Sequence, residues 1–244
     1  MARSLALSIR NVIETFAISF PTVVDASRDR IDMDECNRRL DSWSSRVVHN
    51  LDIDLDVSGR ENQDPTRIYV IMSNHQSHYD IPVLYHVLGG NIRMVAKKEL
   101  FRVPVFGRAM EAAGFISVDR SNRTRAVASL NKAKEVLARG LSVFIAPEGT
   151  RSKTGELLPF KKGGFNLAID MGLPILPVSI DGTRHALPPS AARSTSGVKV
   201  RVRILPAIDT AIYAARGRDG RDALLADVRS QIAASVALSE AEAR

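Results

Sequence analysis

Residues 68–88 read IYVIMSNHQSHYDIPVLYHVL and combine a strand pattern, a polar cluster and a helix pattern. The apolar run at residues 68–72 predicts a buried β-strand that ends in polar Ser73. Residues 80–88 predict a helix, because Pro82 is tolerated in a first helical turn. The polar cluster between them, residues 73–80, is the densest in the chain. A strand followed directly by a helix is typical of α/β folds, whose ligands usually bind at the carboxyl ends of strands.

The rest of the chain repeats this alternation. Two more apolar strands are predicted at residues 141–146 and 175–180, and helices at residues 124–139 and 219–238. A half-exposed strand is predicted where aliphatic residues alternate with basic residues on its outer face: Val198, Val200, Val202 and Ile204 with Lys199, Arg201 and Arg203. We therefore predict an α/β fold at residues 51–244, a single domain with a central mixed, largely parallel sheet flanked by helices.

Residues 1–50 predict a separate segment of two amphipathic helices with a polar turn around residues 25–32. Their apolar stripes are Leu5, Ile9, Val12, Ile13, Phe16 and Phe20, and then Cys36, Leu40, Trp43 and Val47. We favour the interpretation that both stripes pack on the main domain. The alternative is that the first helix lies in a bilayer interface, and the two interpretations are compatible. Neither a membrane-spanning helix nor a signal peptide is expected, because the apolar runs are too short.

The charge distribution predicts an anionic partner. The chain has 34 Lys and Arg against 27 Asp and Glu, a net charge of +7, and residues 67–180 alone carry +8. Such an excess suits a phosphate group or a membrane surface. Nucleic acid is disfavoured, because aromatic residues make up only 5% of the chain and no recognition motif is present. Cys36 is the only cysteine, which excludes disulfides within the chain and a Cys-rich zinc site.

His75 and Asp80 are the candidate catalytic pair. Their five-residue spacing would separate them by about 140° on one helix, so they meet only if His75 lies in the loop before the helix. A carboxylate at one ring nitrogen leaves the other nitrogen as a general base for a hydroxyl. Other interpretations remain open: Asp80 as a helix N-cap, His75 as a hydrogen-bonded loop residue, or His75, His78 and Asp80 as metal ligands. Ser77 is a poor candidate nucleophile, since no G-x-S-x-G motif occurs.

Three further blocks follow in order: GFISVDR at residues 114–120, APEGTRS at residues 146–152 and LPILPV at residues 173–178. Arg120 and Arg151 each follow a predicted strand, and an arginine there can bind a phosphate through two hydrogen bonds. Four lysines between the blocks are equally consistent with phosphate contact and with solvated surface positions: Lys97, Lys98, Lys161 and Lys162.

The four blocks resemble the motifs of the glycerolipid acyltransferase family, which includes bacterial 1-acylglycerol-3-phosphate acyltransferase. The resemblance covers roughly residues 67–186. The N-H-x-x-x-x-D and G-x-I-x-x-x-R motifs are matched by Asn74, His75, Asp80, Gly114, Ile116 and Arg120. The F-P-E-G-T-R-S motif is matched from Pro147 to Ser152, with Ala146 in place of Phe, and the proline-rich motif by Pro174 and Pro177.

The resemblance implies a role for each matched residue. His75 would remove a proton from a glycerol hydroxyl, oriented by Asp80, and the oxygen would attack the thioester of acyl-CoA or acyl carrier protein. Arg120 and Arg151 would hold the acceptor phosphate, and Gly149 and Thr150 would belong to the same substrate-binding group. Glu148 would organise that loop or contact the glycerol, and Pro174 and Pro177 would shape the acyl pocket or serve the structure. No metal or cofactor is expected, because the acyl donor is a cosubstrate.

The function implied is acylation of lysophosphatidate to phosphatidate for phospholipid synthesis. The expected partners are lysophosphatidate, an acyl donor and an anionic membrane surface, with no nucleic acid. We expect peripheral or monotopic attachment to the cytoplasmic face of the cell membrane through residues 5–20 and a basic surface. The alternatives are another acceptor (another lysophospholipid, glycerol 3-phosphate or an acylated amino-acid lipid), a metal-dependent hydrolase, or a nucleic-acid-binding module.

Overall fold

The computed structural model describes residues 3–119 and 123–241. Its helices are α1 (Leu5–Ser27), α2 (Met33–Asn50), α3 (Asp80–Leu88), α4 (Phe106–Ala112), α5 (Arg123–Ala138), α6 (Gly163–Met171), α7 (Thr183–Ala186), α8 (Ala211–Ala214) and α9 (Gly217–Ala241). Its strands are β1 (Arg3–Ser4), β2 (Asp54–Ser58), β3 (Val70–Ser73), β4 (Ile92–Lys97), β5 (Ile116–Val118), β6 (Ser142–Ile145), β7 (Ile175–Asp181), β8 (Ser194–Thr195) and β9 (Lys199–Ile204).

Seven strands of the described residues form one sheet in the order β2-β9-β7-β3-β6-β4-β5. The strands from β7 to β5 are parallel, β9 is antiparallel to β7, and β2 is parallel to β9. The predicted mixed, largely parallel sheet is confirmed. Because β3, β6 and β7 are parallel neighbours, the loops that leave their carboxyl ends meet at one edge of the sheet.

The two faces of the sheet carry separate hydrophobic clusters. In β3, Ile71 packs in the cluster that includes α2 and α3, whereas Val70 and Met72 pack in the cluster that includes α5, α6 and α9. Burial on both faces explains why the strand is an uninterrupted apolar run rather than an alternating one. The polar residues that follow it therefore lie just outside the core.

A fully buried arginine connects α2 to the sheet. Arg93 in β4 donates hydrogen bonds to Oδ1 of Asn37 (2.8 Å) and to the carbonyl oxygens of Gly90 (2.9 Å), Ile92 (2.8 Å) and Ala113. Burial lowers the pKa of Arg93, because desolvation disfavours its charge. These neutral acceptors compensate for the lost water and fix α2 against β4.

The apolar stripe of α1 faces outward, with Ile13 62% and Phe20 64% exposed. The favoured interpretation, in which this stripe packs on the main domain, is therefore wrong for α1. The stripe of α2 is buried as predicted, at Cys36, Leu40 and Val47. No helix among the described residues has both the length and the apolar character that a membrane span requires.

The inward face of α1 is polar instead. Asn11, Ser19 and Thr22 are buried, and α1 packs on α2 and α4. The hydroxyls of Ser19 and Thr22 donate to helix carbonyls one turn earlier, at 2.7 and 2.8 Å. Because these groups are satisfied within the helix, a polar face can be buried without leaving unpaired hydrogen-bond donors.

The strand β9 also differs from its prediction. Lys199 is exposed, but Arg201 is buried and lies 3.8 Å from a carboxylate oxygen of Asp181. Arg203 lies 2.9 Å from a carboxylate oxygen of Asp56. The sequence did not reveal β2, which pairs with β9 and places Asp56 opposite Arg201, next to these basic side chains.

Candidate active site

His75 and Asp80 meet across the turn between β3 and α3. Nδ1 of His75 lies 2.6 Å from Oδ2 of Asp80, which is fully buried. The same oxygen accepts hydrogen bonds from the backbone amides of Gln76 (2.7 Å) and Ser77 (3.0 Å), and Oδ1 accepts one from Thr183. Because the carboxylate acts as the acceptor in these contacts, Nδ1 of His75 donates and Nε2 is left as the basic nitrogen.

The interpretation of Asp80 as an N-cap alone does not fit this geometry. Asp80 is the first residue of α3, and its side chain bonds to the turn that precedes the helix. Ser77 is also engaged, since its hydroxyl donates to the carbonyl of Leu187 at 2.8 Å and accepts from the amide of Tyr79 at 3.1 Å. Within the described residues, no group of three or more His, Cys, Asp and Glu side chains is arranged to hold a metal ion.

Glu148 holds the backbone of His75. Its Oε1 accepts the amide of His75 at 2.8 Å, and its Oε2 accepts the amide of Leu158 at 2.9 Å. The amide of Ser152 donates in turn to the carbonyl of His75 at 2.7 Å. Burial raises the pKa of Glu148, although the two amide bonds oppose this shift. With both oxygens occupied by backbone amides, Glu148 organises the loop.

Asn74 fixes the end of β3 against its neighbour. Its Nδ2 donates to the carbonyl of Ile180, and its Oδ1 accepts the amide of Ile180, both at 2.8 Å. This two-point contact with β7 replaces strand pairing where the chain turns into the loop of His75.

Arg151 lies beside the pair. Its Nη1 is buried without a hydrogen-bond partner among the described residues, and burial lowers its pKa. Desolvation of the ring, together with the nearby Arg151 and His75, lowers the pKa of His78 to about 4. Arg151 is therefore a cationic group with an unused donor, while His78 is neutral near pH 7. Arg120 lies outside the described residues.

The structure separates the four lysines. Lys98 and Lys162 form ion pairs with Asp119 (2.7 Å) and Asp222 (2.9 Å), and Lys97 lies 3.6 Å from Glu99. Lys161 lies against Gly149 instead: a Cβ added to Gly149 would be 2.8 Å from its Nζ. Gly149 also has a φ of +70°, which favours glycine. The sequence left Lys161 as one of four equal candidates, and only its contact with Gly149 distinguishes it.

A cavity of about 810 Å³ opens beside these residues, a size that suits a large ligand. It is lined by His75, His78 and residues 149–151, and otherwise by α1, α2, α4, β4 and neighbouring segments. Most of its wall is apolar, with contributions from Leu40, Trp43, Met94, Phe106, Met110 and Phe144. One arrangement thus combines a histidine–carboxylate pair, a cation and an apolar cavity.

The two prolines of the fourth motif lie away from this cavity. Pro177 is inside β7, opposite Met72 of β3, and the carbonyl of Pro174 accepts the amide of Val70 at 3.1 Å. Neither is among the described residues that line the cavity. Their positions favour a structural role over a role in the acyl pocket, because both prolines lie against the central strand β3.

Two contacts of the catalytic turn had no signal in the sequence. Thr183 bonds to Asp80 across 103 positions, and Ser194 lies 2.6 Å from the hydroxyl of Tyr79 across 115 positions. Both partners belong to the segment that follows β7. Only the parallel pairing of β3 with β7 suggests that this segment lies near the turn.

Comparisons with known proteins agree with this arrangement. Residues 54–181 match the family model described as Acyltransferase. The chain is 37% identical over 199 residues to a chloroplastic 1-acyl-sn-glycerol-3-phosphate acyltransferase of Brassica napus, covering 80% of this chain and 54% of that protein. It is 39% identical over 163 residues to the 1-acyl-sn-glycerol-3-phosphate acyltransferase of Saccharomyces cerevisiae, covering 66% of this chain and 53% of that protein.

The chain thus spans about half the length of the curated relatives it matches. The crystal structure of PlsC from Thermotoga maritima, a 1-acyl-sn-glycerophosphate acyltransferase, aligns over 98% of both chains. The TM-score is 0.74 and the sequence identity 28%. A family match over more than half of the chain, the ordered motifs and a shared fold lead to one conclusion: this chain belongs to the acyltransferase family.

Proposed function

We propose that this protein transfers a fatty acyl group from an acyl thioester to the free hydroxyl of 1-acylglycerol 3-phosphate, forming phosphatidate at a membrane surface. The observation that carries the proposal is the His75–Asp80 pair, 2.6 Å apart, beside Arg151 on the wall of an apolar cavity. An acylation of a phosphate-bearing lipid needs a base, an anion-binding group and space for a hydrocarbon chain.

His75 acts as the general base. Its Nε2 takes the proton of the acceptor hydroxyl while the oxygen bonds to the thioester carbon. The tetrahedral intermediate then collapses, the carbon–sulfur bond breaks, and the thiolate receives the proton from His75. The products are the new ester and a thiol. A positioned base of this kind typically contributes about 10²–10⁴ in rate. Asp80 stabilises the imidazolium that forms between the two steps.

Arg151 and Lys161 bind the acceptor phosphate. The unused, buried Nη1 of Arg151 favours an anionic ligand, since a phosphate oxygen would satisfy it. Lys161 lies over Gly149, two positions from Arg151, and supplies a second cation. Thr150 lines the same cavity, and Arg120 is expected to join the group. Binding a phosphate at this point orients the hydroxyl toward His75 and so lowers the barrier.

The cavity receives the acyl chain of the donor. Its apolar wall lies between the sheet and the N-terminal helices, where a chain would be shielded from water. No metal or cofactor takes part in this scheme. The acyl donor, whether acyl-CoA or acyl carrier protein, is consumed as a cosubstrate.

The outward stripe of α1 attaches the protein to a membrane. Six of its large apolar side chains are exposed: Leu5, Ile9, Val12, Ile13, Phe16 and Phe20. A helix of this kind inserts its apolar face at the boundary between headgroups and acyl chains. Peripheral or monotopic attachment follows, and we assign it to the cytoplasmic leaflet of the cell membrane, where anionic lipids attract a basic surface.

The test is an acceptor panel assayed with both acyl-CoA and acyl carrier protein, with the lipid products identified by mass. Lysophosphatidate is expected to give phosphatidate at a higher rate than other lysophospholipids, glycerol 3-phosphate or acylated amino-acid lipids. Acylation of one of those acceptors instead would keep the chemistry and replace the substrate. If His75→Ala released thiol at the wild-type rate, the role of His75 would be wrong.

A further inference from the structure

Tyr79 lies between the site and the N-terminal helices. It is buried and immediately precedes Asp80. Nδ2 of Asn11 in α1 donates to its hydroxyl oxygen at 3.0 Å, and the same hydroxyl lies 2.6 Å from Oγ of Ser194 in β8. One side chain of the catalytic turn thus contacts two other elements through a single oxygen.

The partners of Tyr79 are themselves connected. Nδ2 of Asn50, at the end of α2, donates to Oδ1 of Asn11 at 3.1 Å. Oγ of Ser194 lies 2.7 Å from Oγ of Ser8 in α1, which also accepts the amide of Ser194 at 2.9 Å. The pairing of β1 with β8 adds backbone bonds at the start of α1. The position of α1 is therefore linked to Tyr79 by two routes, one direct and one through β8.

The segment that carries Ser194 also holds the rest of the turn. Thr183 donates to Oδ1 of Asp80, and the carbonyl of Leu187 accepts the hydroxyl of Ser77 at 2.8 Å. Neither of these bonds involves the Tyr79 hydroxyl, and nor do the bonds from the backbone amides of Gln76 and Ser77 to Asp80. Loss of that hydroxyl would therefore uncouple α1 from the turn and leave the other hydrogen bonds of the turn in place.

We propose that Tyr79 is a positioning residue whose hydroxyl couples the membrane-facing helix α1 to the catalytic turn of His75 and Asp80. The coupling makes the acylation rate depend on engagement of α1 with a lipid surface. The proposal rests on the proposed function for its substrate and its membrane. A shift of α1 reaches Asp80 through the adjacent residue, because breaking the Asn11–Tyr79–Ser194 contacts would leave buried polar groups unpaired.

The test compares Tyr79→Phe with wild type on two acceptors. One is long-chain lysophosphatidate in anionic phosphatidylglycerol vesicles, and the other is a short-chain, water-soluble lysophosphatidate without vesicles. Tyr79→Phe is expected to lower kcat on vesicles about 10-fold, the effect of one hydrogen bond. The loss of rate on the soluble acceptor should be much smaller than the loss on vesicles. The ratio of the vesicle rate to the soluble rate should therefore fall well below the wild-type ratio.

Tyr213→Phe is the matched control, because it removes a hydroxyl that donates to Asp227 at 2.6 Å in the α8–α9 region. Its rate ratio should equal that of wild type. Asn11→Ala should lower the same rate ratio as Tyr79→Phe does. The double variant should show no further decrease in that ratio. Asn11→Ala also carries the test if Tyr79→Phe does not fold.

Amide hydrogen exchange gives a readout that needs no activity. Exchange in residues 76–80 is expected to slow when wild type binds the vesicles, and not in Tyr79→Phe. Equal loss on both acceptors, or no loss on either, would overturn the coupling. Failure of wild type to acylate lysophosphatidate would overturn the proposed function instead, while the exchange measurement still decides the coupling.

Discussion

Glu148 accepts the backbone amide of His75 at 2.8 Å, so it holds the main chain of the base rather than its ring. The carbonyl of the same residue is held by the amide of Ser152 at 2.7 Å. His75 is thus fixed at three points: its amide, its carbonyl and the Nδ1 atom that faces Asp80. The imidazole of His75 therefore cannot rotate without breaking its contact with the buried Asp80.

Glu148→Gln should weaken both the fold and the reaction. A Gln amide places an NH₂ group toward one of two backbone donors, so one buried donor loses its acceptor. We expect the free energy of unfolding to fall by about 1–3 kcal/mol and kcat to fall about 10-fold or more. Denaturant unfolding and steady-state kinetics measure the two effects. Glu156→Gln, an exposed change nearby, is the control and should leave both values unchanged.

Asp80→Asn should nearly abolish activity while keeping much of the turn. The Asn amide can still accept at one oxygen, but its NH₂ group can favour the wrong tautomer of His75. The expected loss in kcat is about 10³–10⁴, as for the equivalent change in other carboxylate–histidine pairs. Thiol release from acyl-CoA in the presence of lysophosphatidate measures it. A loss smaller than 10-fold would contradict the orienting role.

Gly149→Ala tests the contact with Lys161. An alanine at position 149 would have to adopt a positive φ, which should lower stability. Its methyl group would also displace Nζ of Lys161, which should weaken acceptor binding. Gly172→Ala is the matched control, because Gly172 has a φ of +61° and open space around its Cα. Both variants should lose about 1–2 kcal/mol of stability. Only Gly149→Ala should raise the KM for lysophosphatidate, and equal KM values would contradict the phosphate assignment.

The double variant Ile13→Ser, Phe20→Ser tests the membrane assignment. Both side chains are exposed, so thermal unfolding should change little, whereas co-sedimentation with anionic vesicles should fall several-fold. Ile212→Ser provides the comparison, since Ile212 is 68% exposed but lies in α8. If Ile212→Ser reduced vesicle binding as much as the double variant, attachment would not depend on the α1 stripe.

Cys36 reports on occupation of the cavity. It is the only cysteine, it lines the cavity, and burial raises the pKa of its thiol. Alkylation by a small maleimide should therefore be slow, and a long-chain acyl thioether of CoA should slow it several-fold further. CoA without an acyl chain should not protect. Equal protection by both compounds would mean that the chain lies elsewhere.

Local patterns in the sequence were sufficient to predict the pairing of His75 with Asp80. The strand β3, the turn and α3 follow one another in the chain, so the approach of His75 and Asp80 is a local property of that turn. Arg120 and Arg151 each follow a predicted strand, so their loops were expected at strand ends. The parallel pairing of β3 with β6 then brings the loop of residues 146–152 to the edge that carries His75.

Features that depend on distant partners were not predictable. Periodicity located the apolar stripe of α1 but gave no information about which surface it faces, because a stripe is equally periodic against protein and against lipid. The burial of Arg201 depends on β2 and Asp181, and the role of Thr183 depends on β7 lying beside β3. These relationships arise from strand order, which a single sequence does not encode locally.

The helix α1 forms part of the cavity wall, and in the proposed membrane attachment it also faces lipid. Val12 lines the cavity and is 55% exposed, so under the proposed attachment a single helix, about 10–12 Å thick, would separate the cavity from lipid. A lysolipid held in the leaflet keeps its chain out of water, which would otherwise cost about 0.8 kcal/mol per methylene. Under the proposed function, the enzyme would encounter its acceptor by diffusion within the plane of the membrane. Its turnover should follow the mole fraction of lysophosphatidate in the leaflet rather than the bulk concentration.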